Sequence, residues 1–367
     1  MPEVIGAIRD KWLALGGPGS VVGDALDIER PTFDGVGRAQ EFAGGVISWH
    51  PQLGAFATWG AICAQWKAVG REHWGYLLTD ELGCPDGRGR FNHYRAMHLP
   101  GRPEASIYWT PQTGAHEVYG AIRGKWSQLG WEKGWLGYPT SGETDLPEGG
   151  RLATFEHGGM YWWPDTGAID IGDVAVRYRG MNCFGESDEA SGSDEPYFIV
   201  GGVGSGAQIP TFRTQVYDDV DAGGSFPHPG ADIYRGRPWG LALSVTGMEH
   251  DEGNPDAYKD LVTKGVAGVV TAAGGALAAT GIGAPVVAVL EPALAALVPV
   301  LANAINKLLG TGDDVLGTVA AQISAKQMCT LAGAGLQGER DIRYHIATPL
   351  ISDGEASYKA YFDIVRA

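Results

Sequence analysis

Gly120-Ala121-Ile122-Arg123-Gly124-Lys125-Trp126 is the last of three versions of one phrase. The others are Gly6-Ala7-Ile8 with Trp12 and Gly60-Ala61-Ile62 with Trp66, so the three tryptophans stand 54 and 60 residues apart. Each version is followed by an aromatic and proline turn: Trp49-His50-Pro51-Gln52-Leu53-Gly54-Ala55, Trp109-Thr110-Pro111-Gln112-Thr113-Gly114-Ala115, and Trp162-Trp163-Pro164-Asp165-Thr166-Gly167-Ala168. Self-similarity at this period marks a module that buries its core by stacking on its neighbours. In the third version Ile122, Trp126 and Leu129 share one helical face, and Gly130 is the stop signal. Downstream, Gly150–Trp162 reads as two short strands about a glycine-rich turn. The unit expected is therefore a short helix followed by a β-hairpin, a device that usually binds rather than catalyses.

At 367 residues and 38.8 kDa the chain is too long for one typical core. Eleven of the twelve tryptophans lie between Trp12 and Trp163, whereas the Ala/Gly/Val/Leu run from Gly265 to Leu308 has no counterpart in the first half. A boundary between Ala168 and Val174 fits both, giving domains 1–170 and 171–367. The net charge of -16 and the lack of any basic cluster interleaved with aromatics exclude nucleic acid as an expected partner. Met1-Pro2-Glu3 opens without a basic segment and apolar core, so no secretory signal is visible. Cys63 and Cys84 fall in the first domain and Cys183 and Cys329 in the second. This permits one disulfide in each or four buried thiols, and no spacing suggests zinc.

The repeats resemble the LGFP repeats of actinobacterial cell-envelope proteins. The third copy carries Trp135-Leu136-Gly137-Tyr138-Pro139, then Gly150-Arg151, Phe155 and Gly159-Met160-Tyr161-Trp162. The second keeps Gly89-Arg90-Phe91 and Ile107-Tyr108-Trp109, and the first keeps Gly37-Arg38, Phe42 and Gly45-Val46-Ile47-Ser48-Trp49. The resemblance implies a noncatalytic, secreted or surface-acting module that holds its carrier on wall glycan, either arabinogalactan or peptidoglycan. From the residues themselves, Trp49, Trp109 and Trp162 occupy one equivalent place and offer flat faces for sugar rings. The alternative is that these three form the core between repeats.

In the second half, Glu186, Asp188, Glu189, Asp194 and Glu195 put five carboxylates into ten residues, a density that suits calcium. The stretch resembles the first calcium loop of the C-two family of β-sandwiches, through Asp188 and Asp194. Glu249-His250-Asp251 stands where that family has a ligand pair, and Asp314 precedes an apolar-Gly strand in the place of its closing aspartate. The resemblance implies calcium held by Asp188, Asp194, Glu249, Asp251 and Asp314.

Between the last two pieces lie about sixty inserted residues, at about 255–310, that read as two helices around Gly281-Ile282-Gly283-Ala284. The 26 residues from Gly265 to Leu290 contain no charge, which is long enough to span a bilayer, but six are Gly and eight are Ala. Two readings follow: burial against the sandwich or an oligomer partner, or a hairpin that meets lipid through Val269, Val270, Leu277, Ile282, Val286 and Val287. No nucleophile elbow, zincin helix or phosphate loop is present, and Gly201–Gly206 reads as a hairpin. The expected fold is α+β and mostly β, with helix-plus-hairpin repeats followed by an antiparallel β-sandwich that carries a hydrophobic helical hairpin. The expected function is noncatalytic envelope targeting with a membrane-directed or antibacterial end. The alternatives are a wall hydrolase or esterase using paired carboxylates in the C-terminal domain, and a structural assembly subunit.

Overall fold

The computed structural model describes residues 2–187, 194–204, 207–250, 254–273, 285–309 and 315–367, with the backbone alone over 285–289. The chain divides into two compact units, Met1–Asp170 and Ile171–Ala367. Both are built from antiparallel sheets and helices, so the class is mixed α+β.

Each repeat in the first unit is a nine-residue helix followed by an antiparallel sheet. The helices are α1 (Gly6–Ala14), α2 (Gly60–Ala68) and α3 (Gly120–Gln128). The sheets are larger than the expected hairpin. In the first repeat, strands Arg30–Pro31, Arg38–Glu41, Gly45–His50 and Gly54–Trp59 lie side by side in chain order. The extra strand arises because the proline turn does not close the repeat. It is itself a hairpin, with His50 opposite Gly54 and, in the second repeat, Thr110 opposite Gly114.

The strand after that turn runs directly into the next helix. Gly6, Gly60 and Gly120 make this corner at φ of 54°, 55° and 57°, in the left-handed region that a side chain disfavours. This explains why the recurring phrase opens on glycine. The helix then lies between two sheets. Around α2, Ile62 and Trp66 pack with Leu77, Tyr94 and Ile107 of their own repeat and with Ala39 and Val46 of the preceding one. Around α3, Ile122 and Trp126 join Val118 behind them to Leu136, Tyr138 and Phe155 ahead. Trp66 and Trp126 are fully buried, so the helix tryptophans form the stacked core.

In the second unit, two antiparallel sheets face each other. One holds strands Ser225–Gly236, Val174–Gly185, Ser357–Arg366 and Ile346–Ala347; the other holds Ala207–Gln208, Tyr197–Gly204, Leu241–Met248 and Val315–Ile323. Phe198 and Tyr358 meet edge to face between them at 6.2 Å. The inserted helices α4 (Pro255–Ala272) and α5 (Pro285–Leu309) join two neighbouring strands of the second sheet. They cover its outer face. Val262, Val266 and Val269 of α4 and Leu290, Leu294, Leu297, Leu301 and Ile305 of α5 share one core with Tyr197, Ile199 and Ala242. A short helix, α6 (Ala325–Leu331), begins at a Ser324–Gln327 capping box. Gly204 pairs with Ala207, in keeping with a hairpin there.

Candidate functional site

Strand register brings an arginine opposite a tryptophan in every repeat: Arg38 opposite Trp49, Arg90 opposite Trp109, and Arg151 opposite Trp162. All three tryptophans are half-buried, each resting on the core of its own repeat while part of its ring stays in solvent. A glutamate completes the set. Glu29 lies 3.6 Å from Arg38, and Glu81 is hydrogen-bonded by Arg90. In the third repeat Arg151 acts electrostatically on Glu143 and also pairs with Asp145.

In the second repeat this set lines an open groove of about 500 Å³ with Trp59, Glu81, Arg90 and Trp109 on its walls. Trp59 is the residue that caps α2, and the Arg90 guanidinium stacks 5.6 Å from its ring centre. The backbone amide of Trp59 supports the Glu81 carboxylate. Burial pushes the Glu81 carboxyl up, against the pull of Arg90. In the third repeat Tyr119 takes the place of Trp59, and burial lifts Glu143 to about 7 although the Tyr119 amide and Arg151 oppose it. Sequence reasoning missed Trp59, Glu81 and Arg90. The Gly-Arg dipeptide at a fixed distance before each tryptophan was the available signal.

A second recurring constellation joins repeat to repeat. Tyr76 donates to Asp34 Oδ1 at 2.7 Å and Tyr138 donates to Asp86 Oδ1 at 2.6 Å. Each tyrosine ring sits on a glycine: a Cβ on Gly37 would lie 2.6 Å from Tyr76, and one on Gly89 would lie 2.6 Å from Tyr138. Cys84, Asp86 and Glu132 are the group of three potential metal ligands found among the described residues. Thr32 and Asp34 fill the corresponding places beside Tyr76 with a hydroxyl-to-carboxylate hydrogen bond, so this cluster reads as part of the joint between repeats. All four cysteines are free and buried, and burial pushes the Cys63 thiol up to about 11 and the Cys84 thiol to about 12.

In the second unit, Asp194 is buried and accepts from the Ser187 backbone amide at 3.1 Å, from the Ser187 hydroxyl at 2.6 Å and from the Tyr358 hydroxyl. Glu249 accepts from the amide of Glu195, so these two carboxylates meet at one end of the sandwich. Asp188, Asp251, Asp314, Leu277 and Ile282 lie outside the described residues, as do the side chains of Val286 and Val287. Val269 is 4% exposed and Val270 half-buried, both against the sheet core. Leu290–Leu309 is long and apolar enough to cross a membrane by length and composition; its outer side exposes Val300.

No curated protein matches the chain. The family model of the LGFP repeat matches residues 23–73, 75–134 and 136–182. These frames start just before the tyrosine joint, so each takes one sheet together with whatever follows it. In the first two that is the next helix, and in the third it is the first strand of the C-terminal unit. LGFP repeats are typical of cell-surface and wall-associated proteins. The first half of this chain thus carries three LGFP repeats, which suggest a surface- or wall-associated protein.

Proposed function

We propose that the N-terminal unit is a noncatalytic array that attaches the protein to wall glycan. The observation that supports this reading is the threefold Trp–Arg–Glu set, with Trp49, Trp109 and Trp162 each half in solvent beside a paired guanidinium and carboxylate. A flat apolar face bordered by hydrogen-bonding groups is what a sugar ring requires. Three such sets on one rigid array act together on a polymer and raise avidity without new contacts. The test is co-sedimentation of the whole protein with purified actinobacterial walls across rising salt. Stacking and neutral hydrogen bonds survive screening, so retention at high salt is expected; release by salt alone would mean charge attraction and would overturn the reading.

For the C-terminal unit, the approach of Asp194 and Glu249 supports a calcium role at that end of the sandwich. The inner faces of α4 and α5 have the sheet as their partner, which favours burial over lipid contact for Val269 and Val270.

A further inference from the structure

We propose that the groove of the second repeat is the principal subsite, and that it seats an uncharged saccharide ring between Trp59 and Trp109 with its hydroxyls on Glu81 and Arg90. This rests on the wall-glycan reading and specifies its site and ligand chemistry.

The three copies are not equal. The residue capping the helix is Ile5 in the first, Trp59 in the second and Tyr119 in the third, so the second copy alone sets two indoles around one arginine. Two indole faces hold a ring more firmly than one, because each adds apolar contact and C–H-to-ring attraction. The polar floor is set in advance: the Trp59 amide and Arg90 fix Glu81, and the Trp59 ring fixes the Arg90 plane. A carboxylate that only accepts and a guanidinium that only donates together match a hydroxyl, which does both.

Charge selects against acidic sugars. Arg90 is neutralised by Glu81, and an anionic ring would lie against that carboxylate in a unit holding 20 acidic and 14 basic residues. The groove volume of about 500 Å³ is that of a small-molecule site, and its open form lets a polymer continue past it.

Calorimetric titration of the whole protein with neutral arabinogalactan and with polygalacturonate at equal ionic strength tests this, run beside wall co-sedimentation. Expected are saturable binding of arabinogalactan, none of polygalacturonate, at least tenfold weakening in Trp59→Ala, and near-native binding in Trp59→Phe. Arg90→Lys, which keeps the charge and loses the stacked plane, is expected to weaken binding in the same way should Trp59→Ala fail to fold. Equal binding of polygalacturonate, or native affinity in both Trp59→Ala and Arg90→Lys, would overturn the proposal. A protein that sediments with walls but ignores arabinogalactan overturns this subsite alone; one that does not sediment overturns the wall reading itself.

Discussion

The Tyr138 hydroxyl lies 2.6 Å from Asp86 Oδ1 and binds the third repeat to the second, as Tyr76 and Asp34 bind the second to the first. Burial works to raise the Asp34 carboxyl, but hydrogen bonds from Tyr76, Thr32 and the amides of Val36 and Gly37 outweigh it and hold it at about 2. Tyr76→Phe or Tyr138→Phe leaves a carboxylate short of one donor, at an expected cost of about 1–3 kcal/mol. Gly89→Ala is expected to cost at least as much, since its methyl meets both Tyr138 and the Trp109 carbonyl at 2.6 Å. Urea unfolding midpoints measure both; unchanged midpoints would remove the joint from the account.

The corner glycines and a helix glycine make an internal comparison. Gly60 and Gly120 hold φ of 55° and 57°, whereas Gly124 sits inside α3 with nothing within 4 Å of where a methyl would stand. Gly120→Ala is expected to destabilise by about 1–2 kcal/mol through backbone strain. Gly124→Ala is expected to stabilise by about 0.5–1 kcal/mol through helix propensity. Thermal unfolding of the two variants should move in opposite directions.

His93 predicts a loss of stability in acid. Burial and the nearby Arg123 lower its pKa to about 4 from the ordinary 6.5, with Glu104 opposing them. Ser106 takes the Arg123 Nε–H at 2.7 Å and sits 2.7 Å from His93 Nδ1. The unfolded chain binds this proton more readily than the folded one, so the contribution is complete above pH 6.5 and is lost as pH falls towards 4. The fall in melting temperature between about pH 7 and about pH 4.5 should be smaller in His93→Gln than in the native protein. Equal falls would show that His93 is not responsible.

Much of the first unit was legible because its signals are local. The Gly-Ala-Ile phrase announced a left-handed corner and a helix, and the tryptophan at helical spacing announced the buried core. The fourth strand was not legible, since a proline turn reads equally as an end or as a hairpin until its partner strand is known. The joint was hidden in the second repeat, where Trp74-Gly75-Tyr76-Leu77 keeps only the glycine and aromatic of the tetrapeptide. Trp59 was hidden for another reason: it belongs to the end of one repeat and serves the groove of the next. In the second unit, alternating strands were readable, but an uncharged helix has the same composition whether its neighbour is a sheet or lipid. Packing against Tyr197 and Ile199 came only from the tertiary structure.

Calcium at the acidic end of the sandwich has a direct thermal test. If calcium joins Asp194 and Glu249, millimolar calcium raises the melting temperature over that in EDTA, and Asp194→Asn removes the rise. The variant should also melt lower in EDTA, because Asp194 accepts from Ser187 and Tyr358. The calcium-dependent difference is therefore the quantity to read, and its absence in the native protein would rule the metal out.

Wall binding by Trp109→Ala tests the central claim most directly, with the urea unfolding midpoint recorded on the same preparation. The native protein should pellet saturably with purified walls, and the variant should lose at least about five-fold in affinity while its midpoint falls by no more than one half-buried aromatic explains. Native affinity in a folded variant, or a native protein that stays in the supernatant, would contradict the assignment of the repeats to wall glycan.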